Sequence, residues 1–190
     1  IPQMNAYGLP DPATDIAYYR LAHEHRTCLN RLPYNWRGEV RSVPAPKWDG
    51  KQFDFTAYDK RFAPLLTGGA FDDLPRKGVP VDAFYLPFNE NWPVAIDEGF
   101  TGGYWIEDAL TPAYRKEFVA AVHQFTQHLA EKKYHDTFFE FYLNNKVYYK
   151  KQRGGWSGSS APWIFDEPVH TQDFWALRWY GIAFHEGVRQ

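Results

Sequence analysis

The stretch that begins Thr111-Pro112 and continues through Phe118, Val122, Phe125 and Leu129 constrains the fold more than any other part of the chain. Threonine is a good helix cap and proline fits the first helical turn, where its missing N–H does no harm. The apolar residues recur at spacings of four, three and four, which is one stripe of an amphipathic helix. Strand-like runs flank this helix, from Val81 to Phe88 before it and from Thr137 to Leu143 after it. Strand-like and helix-like runs in alternation call for a parallel sheet with covering helices.

The same alternation runs through the rest of the chain. Further strands are expected at residues 3–8, 27–32 and 163–165. A helix is expected to start near Asp11-Pro12 and run through Leu21, and another to carry Tyr58, Phe62 and Leu65 from a start at Asp54 or Thr56, with Pro64 kinking or dividing it. The last helix, from Asp173 to about Glu186, is apolar on most sides through Phe174, Trp175, Leu177, Trp179, Ile182 and Phe184, so it is expected to be largely buried or to lie against another chain. The segment from Pro33 to Gly50 is too long for a bare connection, and long loops in compact domains tend to be functional or mobile. About five strand-then-helix units fit a (β/α)8 TIM-type barrel better than a compact open sheet, although a complete barrel has eight strands and typically about 250 residues. The 190 residues therefore read as a single α/β domain, 1–190, that is a piece of a larger barrel.

Composition narrows the function classes. With 21 Lys+Arg against 23 Asp+Glu the charges nearly cancel, which argues against a nucleic-acid partner or an anionic membrane held by bulk electrostatics. No apolar run approaches the roughly 20 residues of a membrane helix, so the reading is of a soluble protein. The one cysteine, Cys28, lies beside Leu29 and is expected to be a buried, inert thiol. The chain opens on Ile1-Pro2-Gln3, with neither an initiator Met nor a signal peptide, and is expected to be a processed or truncated product whose compartment stays open. Aromatic residues make up 19%, including 8 Trp and 13 Tyr, and many sit beside Gly, Pro and Asn. Such rings suit the apolar faces of sugars, or else pack their own loops onto the domain.

In parallel α/β architectures ligands bind at the carboxyl ends of the strands. Those ends read Tyr7-Gly8, Asn30-Arg31, Asn89-Glu90-Asn91-Trp92, Asn144-Asn145-Lys146 and Asp166-Glu167, the last inside Trp163-Ile164-Phe165-Asp166-Glu167-Pro168-Val169-His170. Amides donate and accept, Trp92 and Tyr142 offer rings for stacking, and carboxylates move protons; together they suit a polyhydroxylated ligand. Adjacent strand residues point to opposite faces, so Asp166 and Glu167 share a pocket only if the strand has ended, as Pro168 favours. His170 is close enough to line that pocket, and Trp156, in the Gly/Ser-rich loop 150–160, is placed to close over a bound sugar. A strand end with an incidental acid pair is the plainer alternative. His23 and His25 fall on different helix faces and His123 and His128 are five apart, so neither pair makes a metal site, and His23 and His25 are expected to face solvent. No phosphate-cradling glycine loop and no paired CxxC occurs, so no cofactor and no metal are expected.

Phe165-Asp166-Glu167-Pro168, Phe53-Asp54-Phe55-Thr56-Ala57-Tyr58-Asp59, the Leu86–Pro93 run and Phe141-Tyr142-Leu143-Asn144-Asn145-Lys146 together resemble the catalytic barrel of glycoside hydrolase family 123 and its uncharacterised relatives, over roughly residues 3 to 187. The resemblance implies a glycoside hydrolase that cleaves β-linked N-acetylhexosaminides, N-acetylgalactosaminide-like, by a substrate-assisted retaining mechanism. It implies Glu167 as general acid and then base, and Asp166 as the group that orients the 2-acetamido substituent. The chain departs from the family in completeness, since the remaining barrel strands would come from elsewhere: from the rest of the barrel or from a homo-oligomer. A second assignment rests on Asn89-Glu90, which resembles the Asn-Glu pair of clan-A retaining glycosidases, with Glu90 as acid/base and Glu167 as nucleophile about 5 Å away. A third, from a different class, is a non-catalytic carbohydrate-binding or assembly protein on a barrel scaffold.

Overall fold

The computed structural model describes residues 11–29, 33–34, 40, 45–94, 105–143, 163–165 and 167–190. The expected strand at 3–8 lies outside them. The described elements are α1 (Pro12–Glu24), the hairpin strands β1 (Lys47–Trp48) and β2 (Phe53–Asp54), α2 (Thr56–Leu66), β3 (Ala83–Tyr85), the short α3 (Ile106–Ala109), α4 (Pro112–Glu131), β4 (Phe138–Glu140) and α5 (Thr171–Arg189).

Helix α4 begins where its cap signal stands. The Thr111 side chain accepts from the Tyr114 N–H, and Pro112 occupies the first turn. Helix α1 opens in the same manner, with the Asp11 carboxylate accepting from the Ala13 and Thr14 N–H groups. Pro64 lies within α2 near its end, and the helix runs on to Leu66. The hairpin turns on Asp49-Gly50: Asp49 accepts from the Lys51 and Gln52 N–H groups, and Gly50 takes a φ of 97° that other residues rarely adopt.

Strands β3 and β4 pair in parallel, with Ala83 opposite Phe138, Phe84 opposite Phe139 and Tyr85 opposite Glu140. They are the centres of two of the five expected strands. Of the run 27–32, residues 27–29 are described and form no ladder; Cys28 instead donates through Sγ to the Ala83 carbonyl at 3.1 Å. At 163–165 the segment is buried, and Ile164 forms an isolated bridge rather than a strand. Among the described residues the sheets are the antiparallel β1–β2 hairpin and the parallel β3–β4 pair, and these two short sheets do not show the expected (β/α)8 barrel.

The alternation of side chains along that pair separates two environments. Phe84 meets Phe62 of α2 at 5.0 Å, Phe88 meets Phe118 and Phe125 of α4 at 5.8 and 5.3 Å, and Phe141 stacks on Phe184 of α5 at 4.6 Å. This side holds the core, where Leu65, Phe71, Phe118, Val122, Phe125, Ala176, Tyr180 and Ala183 are all buried. Tyr85 points to the opposite side and stacks on Tyr142 at 5.4 Å.

Two buried polar contacts tie α1 into this layer. Asp15 is paired with Arg61 of α2, and His23, expected to face solvent, is 4% exposed. The His23 ring stacks on Phe71 at 3.9 Å and its Nε2 lies 3.0 Å from the Val79 carbonyl, whereas His25 faces solvent as expected. Half-burial pushes the Cys28 thiol pKa up, which fits an inert thiol.

Helices α4 and α5 meet closely at Gly187, where an added Cβ falls 2.7 Å from the Val122 side chain and 2.8 Å from the Val119 carbonyl oxygen. Gly181, on the same helix, has nothing within 4 Å of that position. The same substitution is therefore expected to act with opposite signs. Gly187→Ala overpacks the interface and costs about 1–2 kcal/mol, after its gain in helix propensity is allowed for. Gly181→Ala gains about 0.5–1 kcal/mol. Thermal melts of the two variants check this, with shifts of roughly 2–6 °C down and 1–3 °C up.

Candidate functional site

Six of the expected site residues lie among those described: Asn89, Glu90, Trp92, Tyr142, Glu167 and His170. Asp166, Asn30, Arg31, Asn144, Asn145 and Trp156 lie outside them.

The turn after β3 carries Asn89, Glu90 and Trp92. Asn89 and Trp92 exchange backbone hydrogen bonds, each 3.2 Å. The Asn89 side chain serves the same turn: its amide donates to the Pro87 carbonyl at 3.2 Å and its oxygen accepts from the Asn91 N–H at 2.8 Å. Trp92 packs on Phe53, Phe88 and Phe125, so this ring belongs to the domain rather than to an open face. Glu90 is 1% exposed. Its backbone carbonyl accepts from the Tyr114 hydroxyl at 3.3 Å, and Tyr180 in turn donates to the Tyr114 oxygen at 2.9 Å. Burial holds both tyrosines far above the ordinary phenol range, and the nearby Glu90 charge pushes them the same way.

The second acid-bearing segment reaches the same two tyrosines from the other side. Phe165 sits edge-on to Tyr180 at 5.7 Å and Trp163 lies 6.1 Å from Phe165, so the buried residues 163–165 seat the chain against α5. Glu167, two residues on, is exposed, and so is His170, which caps α5. The loop between them is held by Asp173, 1% exposed in the first turn of the helix. One Asp173 oxygen accepts from the Ile164 N–H at 3.2 Å; the other accepts from the N–H groups of Val169 at 3.1 Å and His170 at 2.9 Å. Gln172 beside it accepts from the Ile106 N–H at 3.1 Å and ties α3 to the same helix end.

Tyr142 stands apart from both turns, on the side of the sheet that faces away from α4 and α5. It stacks on Tyr85, and its carbonyl accepts from the Tyr34 hydroxyl. Burial, and after it the neighbouring Glu140, raises the Tyr85 pKa. The structure therefore places Glu167 and His170 in one loop, Asn89, Glu90 and Trp92 in a second turn, and joins the two through Tyr114 and Tyr180. Sequence reasoning missed Asp173, Tyr114 and Tyr180. Only Asp173 had a local signal, an acid three residues after the helix cap, as in a capping box.

Among the described residues no group of three or more His, Cys, Asp or Glu side chains is arranged to hold a metal ion. No described helix is long and apolar enough to cross a membrane. No family model matches the chain, and no curated protein or solved structure is found to be similar to it.

The buried phenols make a measurable pH dependence. The folded pKa values of Tyr114, Tyr180 and Tyr58, all raised first by burial, lie above the unfolded value near 10. Above pH 10 the unfolded chain therefore releases protons that the folded chain keeps, and stability falls as pH rises, on the order of 1 kcal/mol per pH unit for each tyrosine. An alkaline titration of phenolate absorbance is expected to leave these three tyrosines neutral until the chain unfolds.

Proposed function

We propose that the chain is the catalytic part of a glycoside hydrolase that cleaves β-linked N-acetylhexosaminides with retention, on a (β/α)8 barrel to which β3, β4 and their helices contribute one sector. The observation that carries this reading is the contrast between two glutamates. Glu167 is exposed at the end of a buried, firmly seated segment, while Glu90 is enclosed behind Tyr114 and Tyr180. A carboxyl group that protonates a leaving oxygen must touch it, so the contrast favours Glu167 as the acid and disfavours a Glu90–Glu167 pair.

In the first step the substrate's acetamido oxygen attacks the anomeric carbon, the bond to the leaving oxygen breaks, and Glu167 gives that oxygen its proton. Asp166 holds the acetamido group in place as positive charge develops on it. In the second step Glu167 takes a proton from water, which attacks the anomeric carbon and displaces the acetamido oxygen, so that two inversions give net retention. His170, in the Glu167 loop, is a candidate contact to the sugar hydroxyls.

A second reading, an assembly or carbohydrate-binding protein without turnover, is favoured by one feature: Phe174, Trp175 and Ile182 of α5 are exposed. Wild type and Glu167→Gln, assayed on aryl β-glycosides with and without a 2-acetamido group, separate the readings. Turnover confined to the 2-acetamido substrates, with kcat lowered about 10²- to 10⁴-fold in Glu167→Gln, is the expected result. Equal turnover by both proteins removes Glu167 from the acid role, and binding of the sugar without any turnover supports the second reading.

A further inference from the structure

The buried Asp173 carboxylate does more than a helix cap requires. A capping-box acid at this position answers one N–H, that of the cap residue itself. Asp173 answers that of His170 and also those of Val169 and Ile164, which lie outside the helix. The two outer contacts stand on either side of Glu167, three residues before it and two after it. One side chain thus fixes Ile164 on one side of Glu167, and Val169 with His170 on the other, to the start of α5. A carboxylate is the side chain that accepts from both its oxygens while making only two bends in its own chain; an asparagine offers one acceptor and must lose one anchor.

We infer that Asp173 is the positioning residue for Glu167: by holding Ile164 on one oxygen and Val169 with His170 on the other, it fixes the direction from which the Glu167 carboxyl meets the leaving oxygen. The inference rests on the hydrolase reading for its chemical consequence, and on the three hydrogen bonds alone for its structural one. Proton transfer depends steeply on such placement, since the donor must lie within hydrogen-bond reach of the oxygen it protonates. A misplaced acid slows substrates whose leaving group needs a proton and spares those whose leaving group departs as an anion.

The experiment uses Asp173→Asn, which removes one acceptor, and Asp173→Glu, which keeps both acceptors on a side chain one methylene longer. Each is compared with wild type and Glu167→Gln on a phenyl and a dinitrophenyl 2-acetamido-β-glycoside. For Asp173→Asn the expected result is a kcat lowered about 10²-fold on the phenyl glycoside, a change of no more than a few-fold on the dinitrophenyl glycoside, and an unchanged KM. Asp173→Glu is expected to fall between Asp173→Asn and wild type. Equal losses on both substrates, or none on either, overturn the positioning role. Amide hydrogen exchange supplies a readout that needs no turnover: exchange at Ile164, Val169 and His170 is expected to rise at least about tenfold in Asp173→Asn, while the central amides of α5 keep their protection. Unchanged exchange at those three amides overturns the inference whatever the activity. Wild-type turnover of the phenyl glycoside by Glu167→Gln removes Glu167 from the acid role, and absence of turnover by wild type sinks the hydrolase assignment; either result leaves the exchange measurement to decide the structural role of Asp173.

Discussion

Phe118 and Phe125 of α4, with Tyr180, Ala183 and Phe184 of α5, close over the helix-facing side of the β3–β4 pair, and the place of both acid-bearing turns follows from that closure. Burying aromatic side chains of this size is worth about 2–3 kcal/mol each, far more than any single hydrogen bond in the loops above. The loops therefore conform to the helices, not the reverse. The hydroxyls of Tyr114 and Tyr180 are where this apolar layer meets the polar turns: Tyr180 donates to Tyr114 and Tyr114 to the Glu90 carbonyl, which gives that buried carbonyl a partner.

The two glutamates illustrate how little a residue type says about its role. Both follow short apolar runs, and both sit beside asparagine or aspartate. One is drawn inward because its turn folds back through the Asn89–Trp92 backbone pair and lies under Tyr114; the other is turned outward because Pro168 and the start of α5 carry the chain away from the core. The difference arises from what each turn is fastened to. Asn89 makes the same point, for an amide that looks suited to sugar hydroxyls is engaged with Pro87 and Asn91.

Helix positions were legible because their signals are local: Thr111-Pro112 and Asp11-Pro12 place the starts of α4 and α1, and the Phe118, Val122, Phe125, Leu129 stripe identifies the buried face. Strand ends were legible only in part. The centres of 81–88 and 137–143 pair as a parallel sheet would have them, but an apolar run such as 163–165 is buried without forming a ladder, and periodicity alone does not separate those outcomes. The hairpin at 47–54 escaped notice although Asp49-Gly50 is a turn signal, because each strand has only two residues. From its own helix His23 reads as solvent-facing, and what buries it is Phe71, a residue of a distant turn. The tyrosine pair has no local signature at all, since Tyr114 and Tyr180 are brought together only by tertiary packing.

The Asp173 contacts also differ in range from those of the neighbouring turn. The farthest of them spans 9 residues, whereas the Tyr114–Tyr180 contact that seats the neighbouring turn spans 66. Closing the longer loop costs more chain entropy, by about 1–2 kcal/mol on a logarithmic scale. The contact that anchors the Glu167 loop is accordingly local to its own helix and is the cheaper of the two to close, whereas the Glu90 turn depends on packing between distant parts of the chain.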